Sequence, residues 1–160
     1  DAEGRILCAV PETVDIPIPV LFDLTEYNVP PAVKVAMLEA AIEIGTSVML
    51  PVTDITVAVE KYRGTIIPCV AYRDLNKYEN IFKKSRFIAI DFVDTMLNNL
   101  PQLIERIKKI NGAIVIIRVP ATRAVENFVS VLAHNGAEVI QVMADYRSRE
   151  TDNPAEGRLL

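Results

Sequence analysis

Apolar side chains recur with a helical period in three stretches of the chain. Within each stretch they lie three or four residues apart, which places them on one face of an α-helix. The stretches comprise Val33, Ala36, Met37, Ala40, Ala41 and Ile44; Met96, Leu97, Leu100, Leu103, Ile104, Ile107 and Ile110; and Val125, Phe128, Val129 and Leu132. The pattern predicts three helices that pack by these faces, and weaker patterns predict two more over residues 55–62 and 75–84.

Capping residues and glycines mark the ends of these helices. The Pro30-Pro31 pair favours a helix start, and Thr53, Asp94 and Thr122 are expected N-caps. Four glycines follow candidate helices, namely Gly45, Gly64, Gly112 and Gly136. Glycine adopts a left-handed conformation at little cost, so each is expected where a helix ends and turns into a strand.

Runs of β-branched and apolar residues follow the four glycines and occur at two further places. They span 20–24, 46–50, 65–70, 87–91, 113–119 and 137–143, so helices and strands alternate along the chain. Their nearly continuous apolar character is typical of a parallel sheet that is covered on both faces and joined by right-handed crossovers. We therefore predict an α/β fold with a parallel sheet of about six βα units, like part of a TIM barrel. An open doubly wound sheet of the Rossmann or flavodoxin kind is the alternative, and the strand order distinguishes the two.

The chain shows no linker or shift in composition, which predicts a single α/β domain over residues 1–160. Within it we expect an N-terminal strand or lid over 1–16, the βα repeats over 17–146 and a tail over 147–160. The 160 residues fall short of the roughly 250 of a closed eight-fold barrel. Because an unclosed sheet exposes an edge, we expect a homo-oligomer or a partner that completes the sheet.

Ligands of parallel α/β proteins bind at the carboxyl ends of the strands. The polar residues expected there are Asp23, Thr25, Tyr72, Arg73, Asp91, Arg118, Arg123, Asp145 and Arg147. Arg118 stands out because it interrupts an apolar strand, and a buried guanidinium requires anionic partners. We expect Arg118 to pair with Asp91 or Asp145, or to contact an anionic small molecule. For Asp23 and Asp145, a solvated turn is the alternative interpretation.

Composition narrows the classes of function. The 17 Lys and Arg residues against 21 Asp and Glu residues give a net charge of −4 without a basic stripe, so nucleic acid is not an expected partner. No apolar run approaches the roughly 18 residues of a membrane helix, so a membrane is not expected either. Cys8 and Cys69 have no spacing for a zinc site or a disulfide framework, which predicts a reduced, cytoplasmic chain.

Several kinds of catalytic and cofactor site are disfavoured by the motifs. His134 is the only histidine and falls in the last turn of a predicted helix, where the helix dipole favours a cation, so Ser/His/Asp or Cys/His machinery is not expected. Neither GxGxxG nor GxxxxGK[ST] occurs, so no nucleotide held by such loops is expected. No cluster of metal ligands with usable spacing is present, and no metal site is predicted.

The order of these segments resembles the central FMN-binding barrel of glutamate synthase and its archaeal and bacterial relatives. Residues 19–46, which begin Pro19-Val-Leu-Phe-Asp-Leu and end Ile-Gly-Thr46, are similar to the first strand of the family, its following helix and the entry to its second strand. Residues 100–110, 117–119 and 135–140 are similar to its fourth helix, fifth strand and sixth strand. The likeness extends from about residue 17 to residue 146.

The resemblance implies a flavin-dependent oxidoreductase of the glutamate synthase type with FMN as its cofactor. Asp23, Thr25, Arg118 and Asp145 lie at the positions that would contact the cofactor, and Arg118 takes the place of a lysine that contacts the flavin in the family. The iron–sulfur cysteines of the family are missing, so no iron–sulfur cluster is expected.

Three family motifs near the flavin are replaced in this chain. The Met-Ser-Phe-Gly type motif after the first strand is Asp23-Leu-Thr-Glu-Tyr27, the glycine-rich segment after the second is Met49-Leu-Pro-Val-Thr53, and the Gly/His-rich loop after the sixth is residues 145–150. The chain stops at Leu160, before the seventh and eighth strands whose loops hold the FMN phosphate in the family. The resemblance therefore implies the N-terminal part of such a barrel, divergent and inactive alone unless another piece or subunit completes it. The alternative hypothesis is a non-catalytic small-anion-binding domain or an assembly domain.

Overall fold

The computed structural model describes residues 15–145 and Thr151, and the sheet within these residues has six strands. They are β1 (Phe22–Asp23), β2 (Val48–Pro51), β3 (Ile66–Ala71), β4 (Phe87–Asp91), β5 (Ile114–Pro120) and β6 (Val139–Met143). Neighbouring strands are parallel and follow the sequential order β1-β2-β3-β4-β5-β6. This order confirms the partial barrel, and the doubly wound alternative is wrong. The predicted N-terminal strand or lid over 1–16 lies outside the described residues except for its last two, and so does the predicted tail except for Thr151.

The helices cover the outer face of the sheet. They are α1 (Pro31–Ile44), α2 (Glu79–Phe82), α3 (Leu100–Asn111) and α4 (Val125–His134). The three strongly periodic stretches are confirmed as α1, α3 and α4, whereas the weaker ones form 3-10 turns over Val57–Tyr62 and Tyr72–Lys77 followed by the single turn of α2. No helix in the described part of the chain is long and apolar enough to cross a membrane.

The three predicted N-caps are wrong. Asp94 opens the 3-10 turn Asp94–Asn99, and α3 begins only at Leu100 with Pro101 in its first turn. Proline has no N–H to donate to a carbonyl one turn earlier, so an α-helix that begins near Met96 cannot continue regularly through Pro101. In the first turn of a helix that N–H is not needed, so Pro101 is well suited to the start of α3. Thr53 lies inside the 3-10 turn Val52–Asp54, and Thr122 lies three residues before α4 with its hydroxyl buried and without a hydrogen-bond partner.

Helix α1 buries only part of the face that its periodicity predicts, together with Leu38. Leu38 and Ala41 are its buried residues, while Val33 and Ile44 of the predicted face are exposed. Apolar residues occur on every side of this helix, so spacing alone does not select the face. The side chain of Lys34 helps to orient it, because its Nζ lies 2.6 Å from Oδ2 of Asp54 beyond β2.

Alternate residues along the strands divide the sheet into two faces. Outward-facing residues of β4 and β5 pack with α3 and α4 in one apolar cluster, which includes Ile88, Ile90, Val115, Ile117, Val119, Leu103, Ile104 and Leu132. The opposite face carries a second apolar cluster of Met49, Ile67, Cys69, Phe87, Ala89, Ile114 and Ile116. This second face is concave, since side chains of β5 and β6 reach β1 across it. The described chain is therefore a curled half-barrel.

Three of the four glycines adopt the predicted left-handed conformation. Gly45, Gly112 and Gly136 have φ angles of 73°, 74° and 87°, and Gly45 and Gly112 end α1 and α3. The prediction is wrong for Gly64, which has no positive φ. It follows a 3-10 turn rather than an α-helix, and the Thr65 N–H closes this turn on the Tyr62 carbonyl at 2.8 Å.

Alanine at position 45 is expected to destabilise the fold. An L side chain at φ +73° costs about 1–2 kcal/mol, and the added Cβ would lie 2.9 Å from Cγ of Pro17. Gly64→Ala is the matched control, because no heavy atom lies within 4 Å of its added Cβ. Urea denaturation followed by circular dichroism should show a loss for Gly45→Ala and a change within about 0.5 kcal/mol for Gly64→Ala. Equal stability of the two variants would contradict the prediction.

Candidate functional site

A row of polar residues crosses the concave face near the carboxyl ends of β4, β5 and β6. The strand register places Asp91 beside Arg118 and Arg118 beside Gln141. Paired residues of parallel strands share a face, so all three side chains point to the concave side. Ile116 precedes Arg118 on the same face, and it belongs to the apolar cluster below. The concave face thus has an apolar floor and a polar rim.

Arg118 organises this polar rim. Its side chain is 3% exposed, and its Nη1 donates to Oδ1 of Asp91 at 2.9 Å. Its Nη2 donates to Oδ2 of Asp23 at 3.2 Å and to Oγ1 of Thr25 at 2.5 Å, and its Nε donates to Oε1 of Gln141 at 3.2 Å. The predicted pairing of Arg118 with Asp91 is confirmed, and Asp23 is a second carboxylate partner. Two carboxylates balance the buried guanidinium, which is the arrangement that a buried cation requires.

Asp23 is held as a carboxylate by three neighbours. The backbone N–H and the hydroxyl of Thr25 donate to its Oδ1 at 2.9 and 2.6 Å, and Nε2 of Gln141 donates to its Oδ2 at 3.0 Å. Burial by itself raises the pKa of Asp23, but the Thr25 hydrogen bonds, the charge of Arg118 and the Gln141 amide together outweigh burial and hold this pKa below its usual range. Asp23 is therefore ionised at neutral pH.

The stabilising effect of Asp23 should depend on pH. Because its pKa is lower in the folded than in the unfolded chain, its contribution is fully present above about pH 4 and is lost as the pH falls through the folded-state value. Asp23→Asn is expected to lower the free energy of unfolding by about 1–2 kcal/mol at pH 7. The difference from the parent chain should shrink steadily below pH 4 in urea titrations.

Asp94→Asn serves as the control, since it makes the same substitution at an exposed aspartate. Its difference from the parent chain should be small. A deficit of Asp23→Asn that persists unchanged in acid would show that the charge of Asp23 is not what stabilises the rim.

A cavity of about 230 Å³ opens beside the rim. Its lining residues come from the β1 end, from β5 and from β6 with the residues after it: Asp23, Glu26, Tyr27, Arg118, Gln141, Val142, Met143, Ala144 and Asp145. A wider cavity of about 500 Å³ adjoins it and shares Glu26, Tyr27, Met143, Ala144 and Asp145. Asp23 and Glu26 contribute two carboxylates and Arg118 contributes one guanidinium, so these three lining residues together carry a negative formal charge.

The other predicted ligand-binding residues lie elsewhere. Tyr72 packs against the outer apolar cluster, and Arg73 is largely exposed with Nε 3.6 Å from Oδ2 of Asp74. Arg123 follows β5 but lines neither of the two cavities. Arg147 lies outside the described residues. Of the predicted set, the structure thus brings together Asp23, Thr25, Asp91, Arg118 and Asp145.

Sequence analysis missed Gln141, Glu26 and Tyr27. Gln141, like Arg118, is a polar residue within an apolar strand. Aligning β5 and β6 in parallel by these two residues would have placed Gln141 beside Arg118 at the site. Glu26 and Tyr27 follow β1 in a loop, where polar and aromatic residues are common. Nothing in the sequence around them distinguishes them from ordinary loop residues.

Cys69 does not provide a reactive thiol at this site. It is buried in the apolar floor, and this burial raises its pKa to about 12 although the nearby Arg118 opposes the shift. A thiol with so high a pKa is protonated at neutral pH and is not a nucleophile. In residues 15–145 and Thr151, moreover, no group of three His, Cys, Asp or Glu side chains is arranged to hold a metal ion.

The fold and the rim define the class of the molecule, a parallel α/β half-barrel with a charged cluster at its carboxyl-terminal mouth. No family model, curated protein or solved structure matches the chain. The function is accordingly argued from the geometry of the rim and its cavity.

Proposed function

We propose that the chain is a small-molecule-binding domain whose site is the cavity beside Arg118. The observation that supports it is the set of hydrogen bonds that fixes Asp23, Thr25, Arg118 and Gln141 along one wall of a cavity. Ligands of parallel α/β proteins bind at this end of the strands. Polar groups held in place before binding lose little entropy when a ligand arrives, so they give affinity and orientation.

The charge of the cavity favours a ligand with an amine or another hydrogen-bond donor. Asp23 and Glu26 line it, and the guanidinium of Arg118 already faces the two carboxylates of Asp23 and Asp91, so an incoming anion would meet a negative surface. A ligand cation would be attracted by these carboxylates, and the ring of Tyr27 offers a face for it. The volume of about 230 Å³ suits a small metabolite.

Calorimetric titration with putrescine, a small diamine, tests this proposal, with xylitol and inorganic phosphate as the neutral and anionic comparisons. Putrescine should bind the tightest of the three. Glu26→Gln should raise its Kd about tenfold, which corresponds to about 1.4 kcal/mol. Glu43→Gln is the matched control, because Glu43 is an exposed glutamate near the far end of α1. Tighter binding of phosphate than of putrescine would refute the proposed ligand class.

A relationship to the FMN-binding barrel of glutamate synthase is the second candidate, and with it the activity of a flavin-dependent oxidoreductase. The sequential order of six parallel strands supports it, because a barrel of that family has this order. The described rim, however, does not fit a flavin contact at Arg118, the residue that takes the place of the flavin-contacting lysine of the family. Its guanidinium is already paired with Asp23 and Asp91, and carboxylates line the cavity beside it. We therefore derive no flavin step from these residues.

Titration of the purified chain with FMN, followed by flavin fluorescence, tests this second candidate. Binding that is lost in Arg118→Met but kept in Arg73→Met would support a flavin site at the rim. Arg73 is the control because it is exposed and does not contact the rim. The absence of any FMN binding would count against a flavin-dependent activity of this chain.

We also propose that the chain associates with a second copy or with a partner that extends the sheet. The β1 and β6 edges are unpaired within the described residues. Exposed apolar side chains lie on β6 at Val139 and Val142, and on α1 at Val33 and Ile44. Sedimentation velocity should show association, and Val142→Lys should reduce it. Val57→Lys is the control, because Val57 is exposed and lies outside β1 and β6; it should leave the association unchanged. A monomer at high concentration would refute self-association.

A cytoplasmic location is proposed on the free, buried thiol of Cys69. A reducing compartment keeps such thiols unpaired. Fluorescence microscopy of the tagged chain in its native cells tests this proposal, and a signal confined to an oxidising compartment would overturn it.

A further inference from the structure

The two edge strands meet through their side chains although their backbones do not pair. β1 and β6 stand at opposite ends of the strand order, yet Nε2 of Gln141 on β6 donates to Oδ2 of Asp23 on β1 at 3.0 Å. Arg118 of β5 reaches the same oxygen at 3.2 Å and also donates to Gln141. We propose that Asp23, Arg118 and Gln141 form a latch that holds β1 against β5 and β6 across the carboxyl-terminal mouth of the half-barrel.

The latch contributes what the sheet itself does not supply at this point. β1 has only two residues, and its register with β2 consists of two residue pairs. So short an edge strand is weakly held by its own ladder, and it is the kind of element that opens locally. Two hydrogen bonds of the latch join Asp23 of β1 instead to β5 and β6 on the far side of the concave face, and the third joins Arg118 to Gln141.

The latch is polar, and this makes closure conditional. Its bonds are directional and one partner, Asp23, is partly solvated with a side chain 31% exposed. An apolar contact would tolerate small shifts, but a hydrogen bond weakens steeply with distance and angle. When the latch is broken, β1 can move away from β5 and β6, and the mouth of the half-barrel widens.

The distance between β1 and β6 in solution tests the latch. Spin labels are attached at Asn28→Cys, in the exposed loop after β1, and at Val142→Cys, an exposed site on β6, in a chain with both Cys8 and Cys69 replaced by alanine. Double electron–electron resonance then gives the distance distribution between the labels. Gln141→Leu, which removes both hydrogen bonds of this residue, should increase the mean distance by about one strand spacing, roughly 5 Å, or broaden the distribution by that amount.

Two further variants complete the test. Gln141→Asn keeps the amide but is one methylene shorter, so it cannot reach Asp23 and Arg118 together. It should increase the distance between the two spin labels, and it provides this test even if Gln141→Leu fails to fold. Gln102→Leu changes the exposed glutamine of α3 and should leave the distance unchanged. A distance that stays the same in Gln141→Asn and in any folded Gln141→Leu chain overturns the proposal, because the mouth is then held closed without the latch.

Discussion

Replacing Arg118 by methionine is expected to lower the free energy of unfolding by about 3 kcal/mol. The substitution keeps a long apolar stem but removes the positive charge that faces Asp23 and Asp91 and the donors that bind Thr25 and Gln141. Removing one partner of a buried ion pair costs more than the pair itself contributes, because the remaining charge is left without compensation. Both carboxylates are partly exposed, with side-chain exposures of 31% and 48%, so water offsets part of this cost.

Urea denaturation at pH 7, followed by circular dichroism, measures the effect of Arg118→Met. Asp91→Asn is the companion variant, since it removes the more exposed of the two carboxylates and leaves the pair of Arg118 with Asp23 in place. Its expected cost is about 1 kcal/mol. Equal stability of Arg118→Met and the parent chain would contradict this prediction. It would mean that the free-energy cost of desolvating the guanidinium equals the stabilisation that its ion pairs and hydrogen bonds provide.

Phe82→Ala is expected to cost about 3–5 kcal/mol, the range for deleting a buried aromatic side chain. Phe82 is 1% exposed and belongs to the outer apolar cluster beneath α3. It ends α2, a helix of four residues that is too short to be stable without tertiary contacts. Its backbone is also tied to α3, because Nδ2 of Asn111 donates to the Phe82 and Ser85 carbonyls at 2.6 Å. Loss of the ring would therefore leave a cavity that the fixed backbone closes only in part.

The measurement for Phe82→Ala is the same denaturation experiment, with Val57→Ala as the control. Val57 is 93% exposed, so its truncation should change stability by no more than about 0.5 kcal/mol. A cost for Phe82→Ala below 2 kcal/mol would mean that α2 and the neighbouring turn move inward and fill the space.

The strands and their parallel direction could be predicted because they depend on local composition. The continuous apolar run of β5 marks a strand covered on both faces, and its single polar residue, Arg118, marks the polar rim. The buried face of α1 could not be predicted in this way, since apolar residues occur all around that helix and tertiary contacts select Leu38 and Ala41. The strand order does not follow from local sequence for a similar reason, because it depends on how the βα units pack.

The rim was predictable only where it depends on neighbouring strands. Asp91 and Arg118 end consecutive strands, so a parallel sheet brings them together. The contact of Arg118 with Asp23 spans 95 residues along the chain and exists because the sheet curls. Curvature is a property of the whole sheet, and no residue of β1 or β5 encodes it separately.

The alternation of floor and rim along the same strands separates two tasks that proteins often combine. On β5, Ile114 and Ile116 belong to the apolar floor and Arg118 to the rim, each two residues from the next. A substitution at the floor changes the stability of the fold, whereas under the proposed function a change of charge at Glu26 would alter which ligand the mouth attracts. A new ligand preference could then arise in the loops without repacking of the interior.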